Sequence, residues 1–372
     1  MSARSAPSGS FTTLDNYRLL GRSGLRVSPL CLGTMTFGLD WGWGCDEETS
    51  HAIFRAYADA GGNFVDTANF YTNGSSEKIV GKCIGHDRAR FVLATKYTLN
   101  TNRGDPNAGG NHRKNMMQSV EASLTRLATD YIDLYWVHAW EYRTPIDEVM
   151  RGLDDLVRQG KVLYLGASDF PAWKAAQGNT MAELLGWSRF IGLQVEYSLA
   201  MRDIERDLVP MAVELGLGIT PWSPLAGGVL TGKYTRKDIK KQQQRAASAK
   251  YDPFDSTQRM LVLTEERLAI ADAVKAIAKE TGRTSAQVAL NWTLTRPGVC
   301  STILGARKVS QIEDNLGALD FTLSPAHLQR LNDVSKIDLG FPHSFVTGGF
   351  VNDIVTGGAK VESQRVAIRA DG

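Results

Sequence analysis

The sequence predicts an α/β chain folded as a single (β/α)8 TIM barrel, with an N-terminal β-hairpin and a C-terminal helix and tail. Three observations lead there. Short runs rich in β-branched and aromatic residues alternate eight times with longer helical patterns, a repetition that favours one barrel over two ordinary domains. The runs are nearly continuous in apolar residues, as strands of a parallel sheet covered on both faces must be. No G-x-G-x-x-G follows any strand, which argues against doubly wound dinucleotide-binding domains.

Taken in order, "NYRLLGRSGLRVSP" reads as a two-stranded hairpin that plugs the bottom of the barrel. In the first units "SPLCLGT" precedes the helical "DEETSHAIFRAYADAG", "NFVDT" precedes "SSEKIVGKCIG", and "RFVLATK" precedes "HRKNMMQSVEASLTRLA". "YIDLYWVH" then leads to "PIDEVMRGLDDLVRQG", "VLYLGAS" to "PAWKAAQGNTMAELLG", and "FIGLQVE" to "RDLVPMAVELG". "LGITPWS" is followed, after a long stretch to Leu263, by "EERLAIADAVKAIAKETG", and "STILG" by "SQIEDNLGAL". Gly61, Gly160, Gly216 and Gly282 follow the last apolar turns of their helices, the position where a left-handed cap is needed. The long stretch is too long for an idle connection and carries "RKDIKKQQQR", a charge run expected to be solvated and mobile, with contact to the cofactor as the alternative. Beyond the eighth unit come an amphipathic helix, "SPAHLQRLNDVSK", and a Gly-rich tail from Phe341, expected to be partly disordered. The expected division is a flexible leader over 1–16, the barrel over 17–340 and the tail over 341–372.

Apolar content of 43% and charged content of 22% suit a soluble globular protein with a sizeable core. A net charge of +2 points to neither nucleic acid nor an anionic membrane. The start, "MSARSAPSGSFTT", lacks the apolar run of a secretory signal, and no apolar stretch approaches the roughly 20 residues of a membrane span. Cys31, Cys45, Cys83 and Cys300 form no C-x-x-C pair and are expected to be reduced thiols of a cytosolic protein. No His/Cys cluster has metal-ligand spacing, so no metal is expected.

Chemistry on such barrels sits at the C-terminal ends of the strands. Those ends offer Asp66 with Tyr71 on its loop, then Lys96, His138, Ser168, Gln194 and Trp222. A polar loop would account for Asp66 and Tyr71 alone. Ionisable groups recurring at one rim, unit after unit, ask for chemistry. A phenol with a pKa near 10 is a weak acid at neutral pH, and a neighbouring ammonium is expected to lower it. A carboxylate keeps that ammonium charged. The tyrosine then protonates the alkoxide formed as hydride reaches a carbonyl, while imidazole orients and polarises the oxygen.

Here the chain resembles the aldo-keto reductases. "GGNFVDTANFYTNGSSEKIVGK", "LATK", "DYIDLYWVHAW", "GKVLYLGASDF", "LQVEYSL", "TPWSPLAGGVLTGKY" and "ILGARKVSQIEDN" follow that family's patterns in order, from about Leu19 to Val334. "VHAWEYRTPIDEVM" is most similar to bacterial members near the aryl-alcohol dehydrogenase group. The resemblance implies that Asp66, Tyr71, Lys96 and His138 form a catalytic tetrad, with Tyr71 the proton donor. It implies NADPH/NADP+ as cofactor and a small-molecule carbonyl as substrate, with alcohol oxidation as the opposite direction. It also leaves a second reading, since relatives attached to potassium channels bind NADPH while serving a membrane partner. The short polar leader offers no partner-binding segment of that kind, and the sequence is open to a homo-oligomer.

By position, the resemblance implies that Ser168, Asp169 and Gln194 face the nicotinamide carboxamide and that Trp222 stacks on its ring. Asp169 stands where the family commonly has Asn; it accepts from an amide but has no donor of its own. Gly33, Thr34 and Met35 after the first strand, and Ser223, Pro224, Leu225, Gly227 and Lys233 after the seventh, are further implied cofactor contacts. Gly227 to Lys233 satisfies G-x-x-x-x-G-K, but Tyr234 stands where a triphosphate site needs Ser or Thr, so the glycines suit a pyrophosphate loop instead. Adenosine contacts are implied at Gly305, Arg307, Gln311, Asp314 and Asn315, with Arg307 or Lys308 gripping a 2′-phosphate. Ser310 and Glu313 have capping-box spacing at that helix start. Trp41 and Trp43 on the first loop, and Trp140 and Tyr142 on the fourth, are expected to line a pocket for apolar or aromatic carbonyls.

Overall fold

The computed structural model describes residues 13–248, 262–347 and 349–361. Most of the expected leader, the segment 249–261 inside the long stretch and the end of the tail from 362 lie outside the described residues.

A two-stranded antiparallel hairpin, β1 (Arg18–Leu19) and β2 (Arg26–Val27), precedes the barrel. The barrel strands are β3 (Leu30–Gly33), β4 (Phe64–Asp66), β5 (Val92–Tyr97), β6 (Ile132–Val137), β7 (Val162–Ser168), β8 (Phe190–Glu196), β9 (Gly218–Trp222) and β10 (Thr302–Gly305). They run parallel in the spatial order β10-β3-β4-β5-β6-β7-β8-β9. Between β9 and the approach to β10 the wall is joined by Ile219 N donating to Gly298 O (2.8 Å) and Cys300 N to Ile219 O (2.9 Å). The eight parallel strands thus form a nearly closed (β/α)8 barrel, as the alternation predicted.

Strand periodicity divides the side chains between two cores. Leu30, Leu32, Val65, Leu93, Tyr135, Leu193 and Ile219 pack outward under the helices. Cys31, Phe64, Val92, Ala94, Leu134, Trp136 and Ile303 pack inside the barrel with Leu20 and Val27 of the hairpin. Arg22 N donates to Gly216 O at 2.7 Å, so the hairpin does close the bottom. Trp136 fills the middle. A Cβ on Gly166 would lie 2.1 Å from its ring, and one on Gly192 2.9 Å, so β7 and β8 need glycine to make room. Above Trp136 the inward positions turn polar.

The helices are α1 (Glu47–Asp59), α2 (Ser75–Ile84), α3 (Arg113–Leu127), α4 (Ile146–Arg158), α5 (Ala172–Leu185), α6 (Leu208–Leu215), α7 (Arg236–Ser248), α8 (Glu265–Thr281), α9 (Ser285–Leu294), α10 (Val309–Leu316), α11 (Pro325–Val334), α12 (His343–Val346) and α13 (Gly349–Thr356). Gly61, Gly160, Gly216 and Gly282 all take left-handed φ at helix ends, as expected. One expectation needs correction, and two helical features were not expected. The charge run "RKDIKKQQQR" is helical, held at its start by Thr235 and Asp238 and by Arg236 to Glu265 and Asp272. α9 was not foreseen; it is buried nearly all round, so its sequence shows no polar stripe to mark it. The tail forms α12 and α13 before it passes beyond the described residues. Among the described residues no helix is long and apolar enough to cross a membrane.

Candidate active site

Asp66, Lys96, Ser168, Gln194 and Trp222 share the inward parity of Phe64, Ala94, Trp136 and Gly166 on their strands, so the barrel brings them to one mouth. His138 follows β6 with the same parity. Tyr71 opens a 3-10 turn (Tyr71–Gly74) on the loop after β4. The tetrad read from the sequence is one cluster in space.

Lys96 is fully buried. Its Nζ donates to Asp66 Oδ2 and to the carbonyl of Thr67, the latter at 2.8 Å. Burial alone would drive the proton off; the charges of Asp66 and Tyr71 and the hydrogen bond to Asp66 outweigh it and hold the ammonium above its ordinary pKa. The other oxygen, Asp66 Oδ1, accepts from Gln194 Nε2 at 3.0 Å. Gln194, expected at the carboxamide, gives one amide N–H to this carboxylate. Lys96 Nζ lies 4.9 Å from the centre of the Tyr71 ring, and that ring meets His138 edge-on with centroids 5.8 Å apart.

The proton states follow from burial. The Tyr71 phenol is raised, chiefly by burial; the charge of Lys96 pulls it down but does not win. This corrects the expectation of a net lowering. Tyr71 therefore carries its proton at neutral pH. His138 is pushed well below its ordinary value by burial first and by Lys96 second, so its imidazole is neutral. Its Nδ1 is buried without a partner.

The loop that aims Tyr71 is held by residues the sequence reading passed over. Thr72 and Asn73 take left-handed φ of 45° and 53°. Thr72 Oγ1 donates to Phe37 O (2.7 Å) and accepts from Ser76 N (3.0 Å). Ser76 Oγ in turn meets Thr34 and Thr67. Thr34, expected at the cofactor, is fully buried with its hydroxyl in this network and bonded to Asp66 O at 3.0 Å. Buried Glu77 accepts from Thr95 (2.6 Å), the neighbour of Lys96, and from Arg126 (2.5 Å). Their signal was present in the quoted "TNGSSEK": a buried Glu inside an otherwise apolar helix face needs partners.

The other mouth residues test the fit of a dinucleotide. Trp222 Nε1 donates to Asp169 Oδ1 at 3.1 Å. Buried Ser168 stands opposite Gln194 in register, and Gly33 opposite Asp66; Met35 is half-buried on the loop above. Ser223, Ala226, Gly227 and Gly228 all have φ between 50° and 89°, a turn that leaves Gly227 exposed beside buried Pro224 and half-buried Leu225. The Lys233 amine lies 2.8 Å from where a Cβ on Gly228 would be. A glycine turn under an ammonium is a chemically apt seat for a diphosphate. At the start of α10 a Cβ on Gly305 would meet nothing within 4 Å, Arg307 and Lys308 are exposed, and no side chain caps the helix. The expected Ser310–Glu313 capping box does not form, because the helix begins at Val309; Gln311 instead accepts from Arg307 N at 2.8 Å. Asp314 is tied to Thr284 and Gln287, and Asn315 is buried. The residues fit the group.

The aromatic residues divide. Trp41 sits at the mouth, its ring 6.4 Å from Tyr71, 5.5 Å from Phe70 and 5.6 Å from Trp43. Trp140 belongs to the outer core, against Phe170 at 5.2 Å, with Tyr142 packed on its edge and exposed.

A model of the aldo/keto reductase family matches residues 29–336. The chain is 37% identical over 346 residues to a norsolorinic acid reductase of Aspergillus flavus, spanning 90% of this chain and 85% of that protein. It is 37% identical over 361 residues to an NADP+ aryl-alcohol dehydrogenase of Phanerodontia chrysosporium, spanning 92% of each. It is 34% identical over 348 residues to a putative aryl-alcohol dehydrogenase of Saccharomyces cerevisiae, spanning 90% of each. These relatives are fungal and lend the expected bacterial placement no support.

The burial of His138 beside Lys96 has a direct consequence in solution. Nitrogen NMR of the imidazole is expected to show His138 neutral at pH 6. A ring that takes up its proton at or above its ordinary value of 6.5 would contradict this electrostatic picture.

Proposed function

The chain belongs to the aldo/keto reductase family, and on that premise we propose that it reduces aldehydes and ketones to alcohols with NADPH, using Tyr71 as proton donor. The observation that carries this reading is the place of Tyr71, its ring 4.9 Å from the Lys96 Nζ that pairs with Asp66 and edge-on to His138 at 5.8 Å. When bound, the nicotinamide dinucleotide supplies the hydride. The chain does the rest. His138 Nε2–H donates to the carbonyl oxygen and aims it at the Tyr71 hydroxyl. As hydride adds to the carbonyl carbon, the C=O π pair moves to oxygen, and the Tyr71 proton passes to it. Lys96 stabilises the phenolate left behind, and Asp66, steadied by Gln194, keeps Lys96 charged. A tyrosine raised by burial starts with its proton on, which suits reduction over alcohol oxidation.

Ser168, Asp169, Gln194 and Trp222 are the proposed nicotinamide contacts, with Gly33, Thr34 and Met35 beside them. Ser223, Pro224, Leu225, Gly227 and Lys233 form the proposed diphosphate seat. Gly305, Arg307, Gln311, Asp314 and Asn315 are the proposed adenosine contacts, with Arg307 proposed for its 2′-phosphate. Tyr71→Phe should fold and bind cofactor yet lose about 10²–10⁴ in kcat, the usual worth of general acid catalysis. A variant that kept more than half its turnover where chemistry limits the wild type would sink the tetrad assignment.

The choice of NADPH rests on an exposed Arg at an uncapped helix start, since Arg–phosphate pairs are charge-assisted. Arg307→Ala is expected to weaken NADPH by about tenfold or more, about 1.4 kcal/mol, and NADH far less. Equal weakening of both in a binding titration would remove Arg307 from that role.

For substrate we propose aryl or other apolar carbonyl compounds, in keeping with the names of the aryl-alcohol dehydrogenase relatives and with Trp41 at the ring of Tyr71. Trp43 stands behind Trp41. Trp140 and Tyr142 act from the other wall, Trp140 as packing beneath the mouth. Flat rings add about 0.5–1.5 kcal/mol to an aromatic partner beyond burial. The comparison is kcat/KM for a nitrobenzaldehyde against a sugar uronate, with Trp41→Ala narrowing the gap. A wild type that prefers the uronate would overturn the substrate class, and an unaltered preference in the variant would take Trp41 out of the pocket.

A further inference from the structure

The mouth holds one charge that neither the fold nor the tetrad requires. Asp169 follows β7 with φ of 49°. Its backbone is pinned on both sides: its N–H donates to Gln194 O at 3.1 Å, and its carbonyl accepts from Trp140 N at 3.4 Å. The carboxylate accepts from Trp222 Nε1. An asparagine would accept that bond equally well, so the bond does not account for the charge.

Nor is the charge balanced. Among the described residues no Lys, Arg or His lies within ion-pair distance of Asp169. Lys96 is committed to Asp66, and the nearest charge of note on β8, Glu196, has the same sign. Partial desolvation at the crowded barrel mouth, with Glu196 adding, pushes the carboxyl up to about 6, although Trp222 and Lys96 pull it down. The residue itself is exposed, so at neutral pH it is ionised, with Trp222 Nε1 as its hydrogen-bond donor and, among the described residues, no cation paired to it. Its charge is also felt by Tyr71. It is therefore within electrostatic reach of any carbonyl that Tyr71 protonates, and of any hydride donor facing that carbonyl. Of the two forms of a nicotinamide ring, the oxidised one is cationic and the reduced one neutral.

We propose that Asp169 is a selector of the cofactor's oxidation state, its carboxylate favouring the cationic nicotinamide of NADP+ over the neutral ring of NADPH. This rests on the carbonyl-reductase reading given above. The interaction exists only once hydride has left, so it favours the reduction direction and holds the oxidised cofactor afterwards. Trp222 fixes where the charge sits, Glu196 reinforces it, and Lys96, bound to Asp66, does not cancel it.

The test is calorimetric titration of NADP+ and of NADPH into the wild-type chain and Asp169→Asn, a variant that keeps the Trp222 bond and tolerates the left-handed φ. At pH 8 the ratio Kd(NADP+)/Kd(NADPH) should rise about tenfold in the variant. At pH 5 the two proteins should converge, because the wild-type carboxyl is then largely protonated. The 2′-phosphate, common to both cofactors, drops out of the ratio. Repeating the titration at pH 6 in buffers of different ionisation enthalpy should show more proton release with NADP+ than with NADPH in the wild type, and no such excess in the variant. A pH 8 ratio within twofold of wild type would overturn the proposal. A wild type that binds neither cofactor would overturn the carbonyl-reductase reading itself, and the proposal with it.

Discussion

A lysine ammonium sealed from solvent governs the upper end of this barrel. Moving such an ion out of water costs several kcal/mol even after relaxation, and an apolar pair of similar volume would often serve stability better. The fold nevertheless builds around it. β4 supplies Asp66 and the Thr67 carbonyl follows it; β8 sends Gln194 across the interior to occupy the oxygen of Asp66 that Lys96 leaves free. Three strands are tied to one charge, directly above the Trp136 layer. An arrangement so costly, and so fully hydrogen-bonded, is explained by what the charge does to its neighbours.

It does opposite things to two of them. Tyr71 feels Lys96 as a pull toward phenolate, and burial as a stronger push the other way. His138 feels both as pushes toward neutrality. One ammonium thus loosens a proton it does not remove and keeps another from binding. A proton donor beside a neutral hydrogen-bond donor is the pair a developing alkoxide needs. Neither state could be read from unperturbed pKa values, under which the histidine would be partly charged near pH 6.5.

The barrel was legible because its signals are local: apolar strands, helical periods and capping glycines recur in sequence, and the inward parity of Asp66, Lys96 and Gln194 follows from where their strands begin. The tetrad was legible for the same reason, since each member ends a strand or stands on the next loop. Pairings made across the barrel were not. Asp66 and Gln194 are 128 positions apart, and nothing local to either says that they meet. Net effects were also hidden; the direction of Lys96's influence on Tyr71 was evident, but its size against burial was a property of the packed mouth. α9 escaped because burial on all sides erases the polar stripe, and Trp140 was misplaced because a tryptophan near a strand end can point to either side of the wall.

Backbone strain marks the same end of the molecule. Among the described residues eight non-glycines take left-handed φ, and all but Ala128, a helix cap, lie on loops that leave the C-terminal ends of barrel strands. They are Thr72 and Asn73 after β4, Thr98 after β5, Tyr142 after β6, Asp169 after β7, and Ser223 and Ala226 after β9. Such conformations cost of order 1 kcal/mol or more each and persist only where surrounding contacts over-determine them. Here the contacts are visible: Thr72 is bonded to Phe37 and Ser76, Asp169 to Gln194 on β8 and to Trp140 on the loop after β6, and Ala226 is buried. These contacts within the chain set the directions of Tyr71, Asp169 and the glycine turn after β9. The rigid layer below, with Trp136 wedged against Gly166 and Gly192, provides the stability against which that strain is held.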